Sequence, residues 1–362
     1  MALAIAEFGM VTAVGHDAVT SCAAIRAGVS RATSLPDVEV LEPDTHTMIP
    51  AVGHAVFGLT EGRSAVARWL ALGRRAFADL RERGQLPEAD DRGFWNVTAL
   101  VLVVPTVDDE RFMFFEPFNG GAIQEAYVQP LVRSLGVPLG SDRVFLLAEG
   151  RTGAVRALAG MPALFDRLAL DRAIVLAVDS CLDGYSIEWL IQSDRLKQAD
   201  MPSGLMPGEA AAAVMIERDD ATHARGGTPR ARIAAALVDS ESKAYLDKER
   251  KHGRAIARVF RGVLQHAASA PFSGDLLVDL NGEGWRAYEF GAALTQVPRA
   301  LLDGYRVLTP AMSTGEVGAA STMVGVILAV RAFERGYAAA SSALVSGVSG
   351  SGRVGAVLVT RN

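Results

Sequence analysis

The chain has 362 residues, a length that at roughly 150 residues per domain indicates two domains or one large duplicated domain. It carries 36 Lys and Arg against 41 Asp and Glu, and the resulting net charge of −5 excludes a general nucleic-acid binder, which needs basic residues to neutralise phosphates. Half of the residues are hydrophobic and 21% are charged, proportions that are typical of a well-buried core and not of disorder.

The two cysteines, Cys22 and Cys181, are too few for a disulfide framework and favour a reducing compartment. The apolar segment 1–15 has no basic region and is interrupted by Glu7, so it does not resemble a signal peptide. Apolar runs such as 99–104 have the length of strands and fall far below the ~18 residues of a membrane span. We therefore expect a soluble, cytoplasmic globular protein without membrane contact.

Strands and helices alternate along the first part of the chain, and this alternation predicts an α/β fold. The predicted strands are 3–8, 99–104, 143–148, 172–178 and 210–217, and the predicted helices are 16–28, 62–83, 124–135 and 152–168. Several of these strands indicate burial on both faces, because 99–104 is apolar throughout and 143–148 is apolar from residue 144 onward.

The second part repeats this pattern after a polar, glycine-containing segment. Its predicted strands are 231–238, 276–280 and 343–345, and its predicted helices are 253–268 and 319–335. The two parts also end alike, with GEAAAAVMI at 208–216 and GRVGAVLVT at 352–360. The pattern predicts a duplicated α/β unit with an N-terminal half at 1–217, a linker at 218–229 and a C-terminal half at 230–362.

Four segments carry recognisable motifs: GMVTAVGHDAVTSCAAIRAGVS (9–30), MPSGLMPGEAAAAVMIE (201–217), STGEVGAAS (313–321) and SGVSGSGRVGAVLV (346–359). They resemble, in order, the opening, the mid-chain hairpin, the turn before the C-terminal helix and the closing loop and strand of β-ketoacyl synthases of the thiolase superfamily. The resemblance implies two βαβαβαββ halves stacked as a five-layered αβαβα sandwich. It also implies a homodimer and an active site between the halves.

A ketosynthase needs a nucleophilic Cys at the start of a buried helix, where the helix dipole lowers the thiol pKa and backbone N–H groups hold the oxyanion. The resemblance places the family's Cys-x-Ser-Gly motif on Gly150, Arg151, Thr152 and Gly153. Gly150 has no side chain and cannot attack a thioester.

The two supporting histidines of the family are also replaced. In the segment 276–291, Asn281 falls on the histidine of the family's Ala-His-Gly-Thr motif and Gly282 on its glycine. In the later motif Glu316 falls on the second histidine, to within about one residue. None of the six histidines (16, 46, 54, 223, 252 and 266) lies in a matching motif. We therefore expect a vestigial site of Gly150, Asn281 and Glu316 with no assigned catalytic residue.

Other residues are alternative nucleophiles. Cys181 follows a strand and is interpreted as a packed, inert cysteine, and Cys22 as a core residue. Thr152 is interpreted as a helix cap or a turn residue, because no matched histidine would activate it. His46 and His54 are expected to be exposed or locally hydrogen-bonded.

The candidate binding residues are Thr152, Gly153, Asn281, Glu283 and Glu316. A purely structural role is favoured for some of them. Glu316 is interpreted as a helix cap, and the Asn-Gly-Glu sequence at 281–283 is interpreted as a tight turn. The alternative is that these groups form a polar binding pocket.

No cofactor or metal is expected, because no cluster of His, Cys, Asp and Glu has metal-ligand spacing and no Walker-type phosphate loop occurs. The segment 242–254 is rich in cationic residues and could dock an acidic carrier protein. These cationic residues are Lys243, Lys248, Arg250, Lys251 and Arg254. Asp247 and Glu249 lie between them, so a solvated helix face is the favoured interpretation.

Two functional hypotheses follow. The first is a catalytically degenerate ketosynthase-like protein of fatty acid or polyketide biosynthesis, similar to chain-length-factor subunits. Its partners would be an acyl carrier protein or acyl-CoA and a second subunit, identical or an active ketosynthase, paired through the strand 143–148. The alternative is an active acyltransferase or condensing enzyme on acyl thioesters with non-standard catalytic residues.

Overall fold

The computed structural model describes residues 3–42, 44–107, 110–112, 120–241 and 252–362. The strands are Leu3–Thr12 (β1), Thr33–Glu42 (β2), Thr47–Gly53 (β3), Thr98–Val103 (β4), Val144–Leu147 (β5), Arg172–Ser180 (β6), Glu209–Arg218 (β7), Ala231–Ser240 (β8), Asp275–Leu277 (β9), Arg306–Leu308 (β10), Ser342–Val348 (β11) and Arg353–Arg361 (β12). The helices are Ala18–Arg26 (α1), Ala65–Gly84 (α2), Arg92–Trp95 (α3), Gly120–Ile123 (α4), Gln129–Leu135 (α5), Gly153–Leu168 (α6), Gly184–Gln192 (α7), Asp219–Ala224 (α8), Arg254–Leu264 (α9), Gly284–Leu294 (α10), Ala311–Thr314 (α11) and Ser321–Glu334 (α12).

The main sheet shows the internal duplication directly. Its strand order is β10-β9-β11-β12-β8-β1-β7-β6-β4-β5. When the five strands of each half are numbered in chain order, both halves have the order 1-5-4-2-3, with the same antiparallel and parallel pairings. A short pairing of residues 3–5 with 231–233 joins the two units into one continuous sheet. The predicted duplicated α/β fold is confirmed.

The two five-stranded units face each other across a central helical layer. One hydrophobic core contains residues of α6 and α12 together with one face of each unit. A second core packs α2 and α5 on the outer face of the N-terminal unit, and a third packs α9 and α10 on the outer face of the C-terminal unit. These are the five layers of the expected αβαβα sandwich.

The side chains of β4 explain how a strand is buried on both faces. Ala99, Val101 and Val103 lie in the central core, whereas Leu100 and Leu102 point into the outer core. A fully apolar strand is therefore favoured in this sheet. Helix α12 is buried along almost its whole length for the same reason, because both sheet units surround the central layer.

The sequence interpretation missed several elements. The hairpin β2–β3 has exposed apolar residues such as Met48 and Leu41 and therefore no simple alternation of burial. Helix α10 was expected as part of a strand and turn, since Gly284 and Gly291 lower its helix propensity. The segment 218–229 contains the short helix α8, and the domain boundary placed there stays a prediction.

Strand β5 differs from the expected fully buried strand. All four of its residues are half-buried, because β5 is the last strand of the sheet and pairs only with β4. Its other backbone edge has no strand partner within the described chain, which is the situation that favours pairing with a second chain. Across the described residues, no helix is long and apolar enough to cross a membrane.

Candidate functional site

The turn between β5 and α6 carries Gly150, the residue that the sequence places at the nucleophile position. Gly150 begins a 3-10 turn at Gly150–Thr152 and has a φ of +57°, a conformation that favours glycine. Its N–H donates to the carbonyl of Val104 at 3.1 Å, so this N–H group is not free to hold an oxyanion. A Cβ on Gly150 would lie 3.0 Å from Thr106 Oγ1. The turn therefore fits a residue without a side chain.

A cavity of about 220 Å³ lies against this turn, and we call it the Gly150 cavity. It is lined from both halves of the fold, as the resemblance implies for an active site. The lining residues that matter below are Gly150, Arg151, Arg111, Cys181, Arg195 and Glu316. Among the described residues that line it there is no histidine.

A buried ion pair lies beside Gly150. Arg151 Nε donates to Glu316 Oε1 at 3.2 Å, and Arg151 Nη2 pairs with Glu316 Oε2. Asp279 Oδ2 lies 3.8 Å from Arg151 Nε. All three side chains are at most 11% exposed. Glu316 Oε1 also accepts from the Gly318 N–H at 2.7 Å, so the predicted capping role and the ion pair coexist.

Asn281 connects this ion pair to a second one. Its Nδ2 donates to both Glu316 and Glu283, and its Oδ1 accepts from the Glu283 N–H at 3.2 Å. Glu283 is held by Arg195 through two hydrogen bonds of 2.7 and 3.0 Å and by Arg286 at 3.1 Å. The 281–283 segment is thus the predicted tight turn and also part of a buried polar network.

The network is electrically balanced, with Arg151, Arg195 and Arg286 against Asp279, Glu283 and Glu316, so its formal charge is 3 − 3 = 0. Burial alone would raise the pKa of Glu316, but the charges of Arg151 and Arg286 and the hydrogen bonds from Arg151 and Asn281 together lower it.

Burial opposes ionisation of Glu283 as well, and its contact with Arg195 lowers the pKa below the ordinary value. Asp279 behaves differently, because burial raises its pKa in spite of Arg286 and Arg151. The two glutamates are therefore fixed acceptors at neutral pH and have no proton to donate.

Another buried ion pair, between Arg111 and Asp179, also lines the Gly150 cavity. Arg111 Nη1 donates to Asp179 Oδ1 at 2.9 Å, and Arg111 Nε donates to Ser186 Oγ at 2.9 Å. The other oxygen of Asp179 accepts from the Ala319 N–H at 2.9 Å. Because Asp179 lies in β6 of the N-terminal half and Ala319 belongs to the C-terminal half, this contact also links the halves.

Cys181 is buried, as predicted, but it also forms part of the wall of the Gly150 cavity. Burial raises the pKa of its thiol to about 12 even though the positive charge of Arg111 lowers it. The thiolate is the reactive form of cysteine, so this thiol is poorly nucleophilic near neutral pH. Cys22 lies in the central core, as predicted.

The other predicted residues lie outside the Gly150 cavity. Thr152 is buried and donates to the Glu149 carbonyl at 3.2 Å, a turn hydrogen bond of the predicted kind. At Gly153 a Cβ would lie 2.7 Å from Val103 Cγ1, so this glycine permits close packing of α6 on the sheet. Asn281 faces a different cavity from Gly150, although the two had been expected to share one.

The histidine and cation predictions have mixed outcomes. His46 is exposed, as expected, but His54 is only 3% exposed, because it is covered where residue 54 bridges to Gly208. Of the cation-rich segment 242–254, residues 242–251 lie outside the described residues, and Arg254 begins α9.

Sequence reasoning missed the arginines and Asp279 of the network. Arg151 and Glu316 are 165 positions apart in the chain, and Arg195 and Glu283 are 88 apart, so no local spacing brings them together. The available signal was the presence of Arg151 directly after Gly150, because a cation at a helix start is unfavourable without a counter-charge.

The described residues contain no group of His, Cys, Asp and Glu that could hold a metal ion. GSGRVG at 350–355 has the glycine spacing of a dinucleotide loop. It joins the antiparallel strands β11 and β12, however, whereas such a loop must connect a strand to a helix. The local structure therefore does not match a dinucleotide site.

No family model and no curated protein matches the chain. Solved structures do match. One match is a chain from a structure described as a type II PKS acyl-carrier protein in complex with its ketosynthase bound to the hexaketide. It has a TM-score of 0.78 and 12% identity, and the comparison covers 100% of this chain and 99% of that chain.

Two further structures give the same result. The ishigamide ketosynthase/chain length factor has a TM-score of 0.68 and 18% identity, and a beta-ketoacyl synthase from Burkholderia phymatum STM815 has a TM-score of 0.76 and 13% identity. Both comparisons cover 100% of this chain and 99% of the other. The chain therefore has the thiolase-like fold of ketosynthases and chain length factors.

Proposed function

We propose that this chain is a ketosynthase-like protein that does not catalyse condensation and acts through binding, in the manner of a chain-length-factor subunit. The observation that carries the proposal is the Arg151–Glu316 ion pair beside Gly150. By the resemblance, Glu316 stands at one of the two histidine positions and Arg151 directly follows the nucleophile position, and the two side chains neutralise each other.

The remaining groups of the Gly150 cavity support this proposal. Condensation requires a thiolate to accept the acyl group, but Gly150 has no side chain and burial raises the pKa of Cys181 to about 12. It also requires donors for the developing oxyanion, and the Gly150 N–H is already bonded to the Val104 carbonyl. Binding of an acyl thioester needs neither feature.

The partner in this proposal is a second subunit, either an identical chain or an active ketosynthase. The exposed edge of β5 supports it, because this strand is half-buried and has one unpaired edge. Phe145 and Leu147 already contact the central core, while Val144 and Leu146 contact the outer core. Pairing with a two-fold related strand would continue both cores into the partner.

An acyl carrier protein or acyl-CoA is the proposed bound species. The ketosynthase complex that matches this fold is described as containing an acyl-carrier protein. In this chain, the 220 Å³ Gly150 cavity is the proposed place for the thioester end of such a ligand.

The alternative function, acyl transfer with non-standard residues, is favoured by one observation: Cys181 lines the Gly150 cavity. Incubation with an acyl-CoA followed by intact-mass and peptide mass spectrometry separates the two. The proposal predicts binding of acyl-CoA without a covalent adduct. A stoichiometric adduct on Cys181, absent from Cys181→Ser and retained in Cys22→Ser, would establish the alternative; an adduct on Thr152 would do the same.

A further inference from the structure

A second cavity lies across the Asn281–Glu316 hydrogen bond from the Gly150 cavity. Its volume is about 420 Å³, and we call it the Lys197 cavity. Asn281 belongs to its wall, whereas Glu316 belongs to the wall of the Gly150 cavity. The described linings of the two cavities have no residue in common. The Lys197 cavity is therefore a separate space, and its size falls within the ~300–1,000 Å³ range of small-molecule sites.

Close backbone contacts fix the shape of this cavity. Gly282 has a φ of +105°, and a Cβ there would lie 2.8 Å from the Gly204 carbonyl oxygen. A Cβ on Gly204 would lie 2.6 Å from the backbone N of Lys197. A Cβ on Gly315, whose φ is +66°, would lie 2.8 Å from His54 Cδ2. Larger residues at these glycines would displace Lys197, Gly204 or His54 of the wall, so the wall is closely packed.

The charge of the cavity comes from one side chain. Lys197 is exposed, and its ammonium group has no ion pair or hydrogen bond with any residue that the structure describes. No aspartate or glutamate is among the described lining residues. Lys197 is also the only lysine outside the segment 242–251. A cation without a counter-charge in a cavity favours an anionic ligand group.

Buried His54 adds polarity without charge. Burial lowers the pKa of its imidazole, so the ring is neutral near pH 7, and its Nδ1 has no hydrogen-bond partner within the described chain. The hydroxyl groups of Ser30 and Thr309 also line the cavity. These groups accept and donate hydrogen bonds but do not compensate the charge of Lys197.

The rest of the wall is apolar and is formed by Ala32, Met206, Leu280, Ala311 and Met312. The Met312 side chain is 78% exposed, an unusual exposure for a large apolar residue. Methionine adapts its shape to different ligands because it is unbranched and flexible. A cavity with one free cation and a flexible apolar wall matches a molecule that has one anionic end and a hydrocarbon part.

We infer that the Lys197 cavity binds an amphipathic carboxylate, with the carboxylate at Lys197 and the hydrocarbon part against Met206, Leu280 and Met312. The inference does not rest on the proposed function, because it uses no residue of the Gly150 cavity. A medium-chain free carboxylic acid is the ligand class to which it commits.

The test is titration of the full-length protein with octanoate by isothermal calorimetry. Acetate serves as an anion without a hydrocarbon part, and octanol as a hydrocarbon without charge. We expect saturable binding of octanoate and at least about tenfold weaker binding of the other two. Lys197→Gln should weaken octanoate binding about tenfold, which corresponds to about 1.4 kcal/mol. Arg299→Gln, which removes an exposed cation outside the cavity, should leave it unchanged.

Met312→Asp provides an independent variant at an exposed position, where the fold should tolerate the change. It places a negative charge in the apolar wall and should also weaken octanoate binding. Absence of saturable octanoate binding would overturn the inference. So would equal affinity for octanol, or octanoate binding that is the same in wild type and in Lys197→Gln.

Discussion

Arg151 of the N-terminal half and Glu316 of the C-terminal half form a buried ion pair next to Gly150. The pair joins the two halves beside the position that the sequence resemblance assigns to the nucleophile. It belongs to a network in which three arginines balance three carboxylates. Such a network holds charges in fixed positions, whereas acyl condensation needs a nucleophile and groups that exchange protons.

The first prediction concerns the stability of this ion pair. Glu316→Gln should lower the free energy of unfolding by about 3 kcal/mol, because the Arg151 guanidinium would stay buried without its main counter-charge. Denaturant unfolding followed by circular dichroism measures the change. Glu82→Gln, which breaks an exposed pair with Arg75, should change it by less than about 0.5 kcal/mol.

A double variant separates the ion pair from other effects of the substitution. If Arg151→Met is added to Glu316→Gln, most of the loss should be recovered, since no unpaired guanidinium remains. Equal destabilisation in Glu316→Gln and Glu82→Gln would show that the pair does not stabilise the interface between the halves.

The sequence predicted the fold well because periodic apolar segments report burial directly. The strand 99–104 and the helix 152–168 are predicted nearly at their observed bounds. The strand is apolar because its side chains alternate between two cores, and the helix has one apolar face because it packs into the central core. The site was less predictable. Gly150 and Glu316 could be found by resemblance, but the partners Arg151, Arg195 and Asp279 meet only through tertiary contacts.

The second prediction concerns Gly150→Cys. A thiol at this helix start, beside Arg151, should have a lowered pKa and react with iodoacetamide faster than free cysteine near neutral pH. The native thiols provide a slow background, since burial raises the pKa of Cys181 and of Cys22 to about 12 each. Condensing activity should stay absent, because no histidine lines the described part of the cavity.

The variant should also lose stability. A side chain at a φ of +57° is strained, and its Cβ would lie 3.0 Å from Thr106 Oγ1, so we expect a loss of about 1–2 kcal/mol. Gly150→Ala gives the same strain without the thiol. An introduced thiol that reacts no faster than free cysteine would contradict the assigned helix-start geometry.

The third prediction concerns acid stability. Because the pKa of Glu283 is lowered in the folded protein, its ionisation stabilises the fold above the ordinary value of 4.5, and this stabilisation is lost as pH falls toward the folded pKa. The raised pKa of Asp279 has the opposite effect on stability, because ionisation of Asp279 destabilises the folded state as pH rises above 3.8. We compare wild type with Glu283→Gln, which removes only the first contribution.

The difference in unfolding free energy between the two proteins should be largest near neutral pH and shrink between about pH 5 and pH 2. Denaturant titrations at a series of pH values measure it. Parallel pH profiles for wild type and Glu283→Gln would show that this carboxylate does not contribute in the proposed way.

The fourth prediction concerns assembly through β5. Light scattering should give twice the chain mass of 38.2 kDa, since the unpaired edge of β5 would pair with its two-fold mate. Leu146→Lys in β5 should shift the protein toward the monomer. Leu237→Lys, at a 40% exposed position of β8, should not. A wild-type monomer at micromolar concentration would disprove self-association and leave pairing with a ketosynthase as the remaining form of the proposal.

The absence of condensing chemistry is tested most directly by incubating the purified chain with an acyl-CoA and malonyl-CoA. Mass spectrometry then measures the β-ketoacyl product and the carbon dioxide released. The proposed function predicts neither product above the level of a protein-free control, because Gly150 supplies no nucleophile and Arg151 and Glu316 neutralise each other. Turnover by wild type that is abolished in Cys181→Ser would contradict the proposed function.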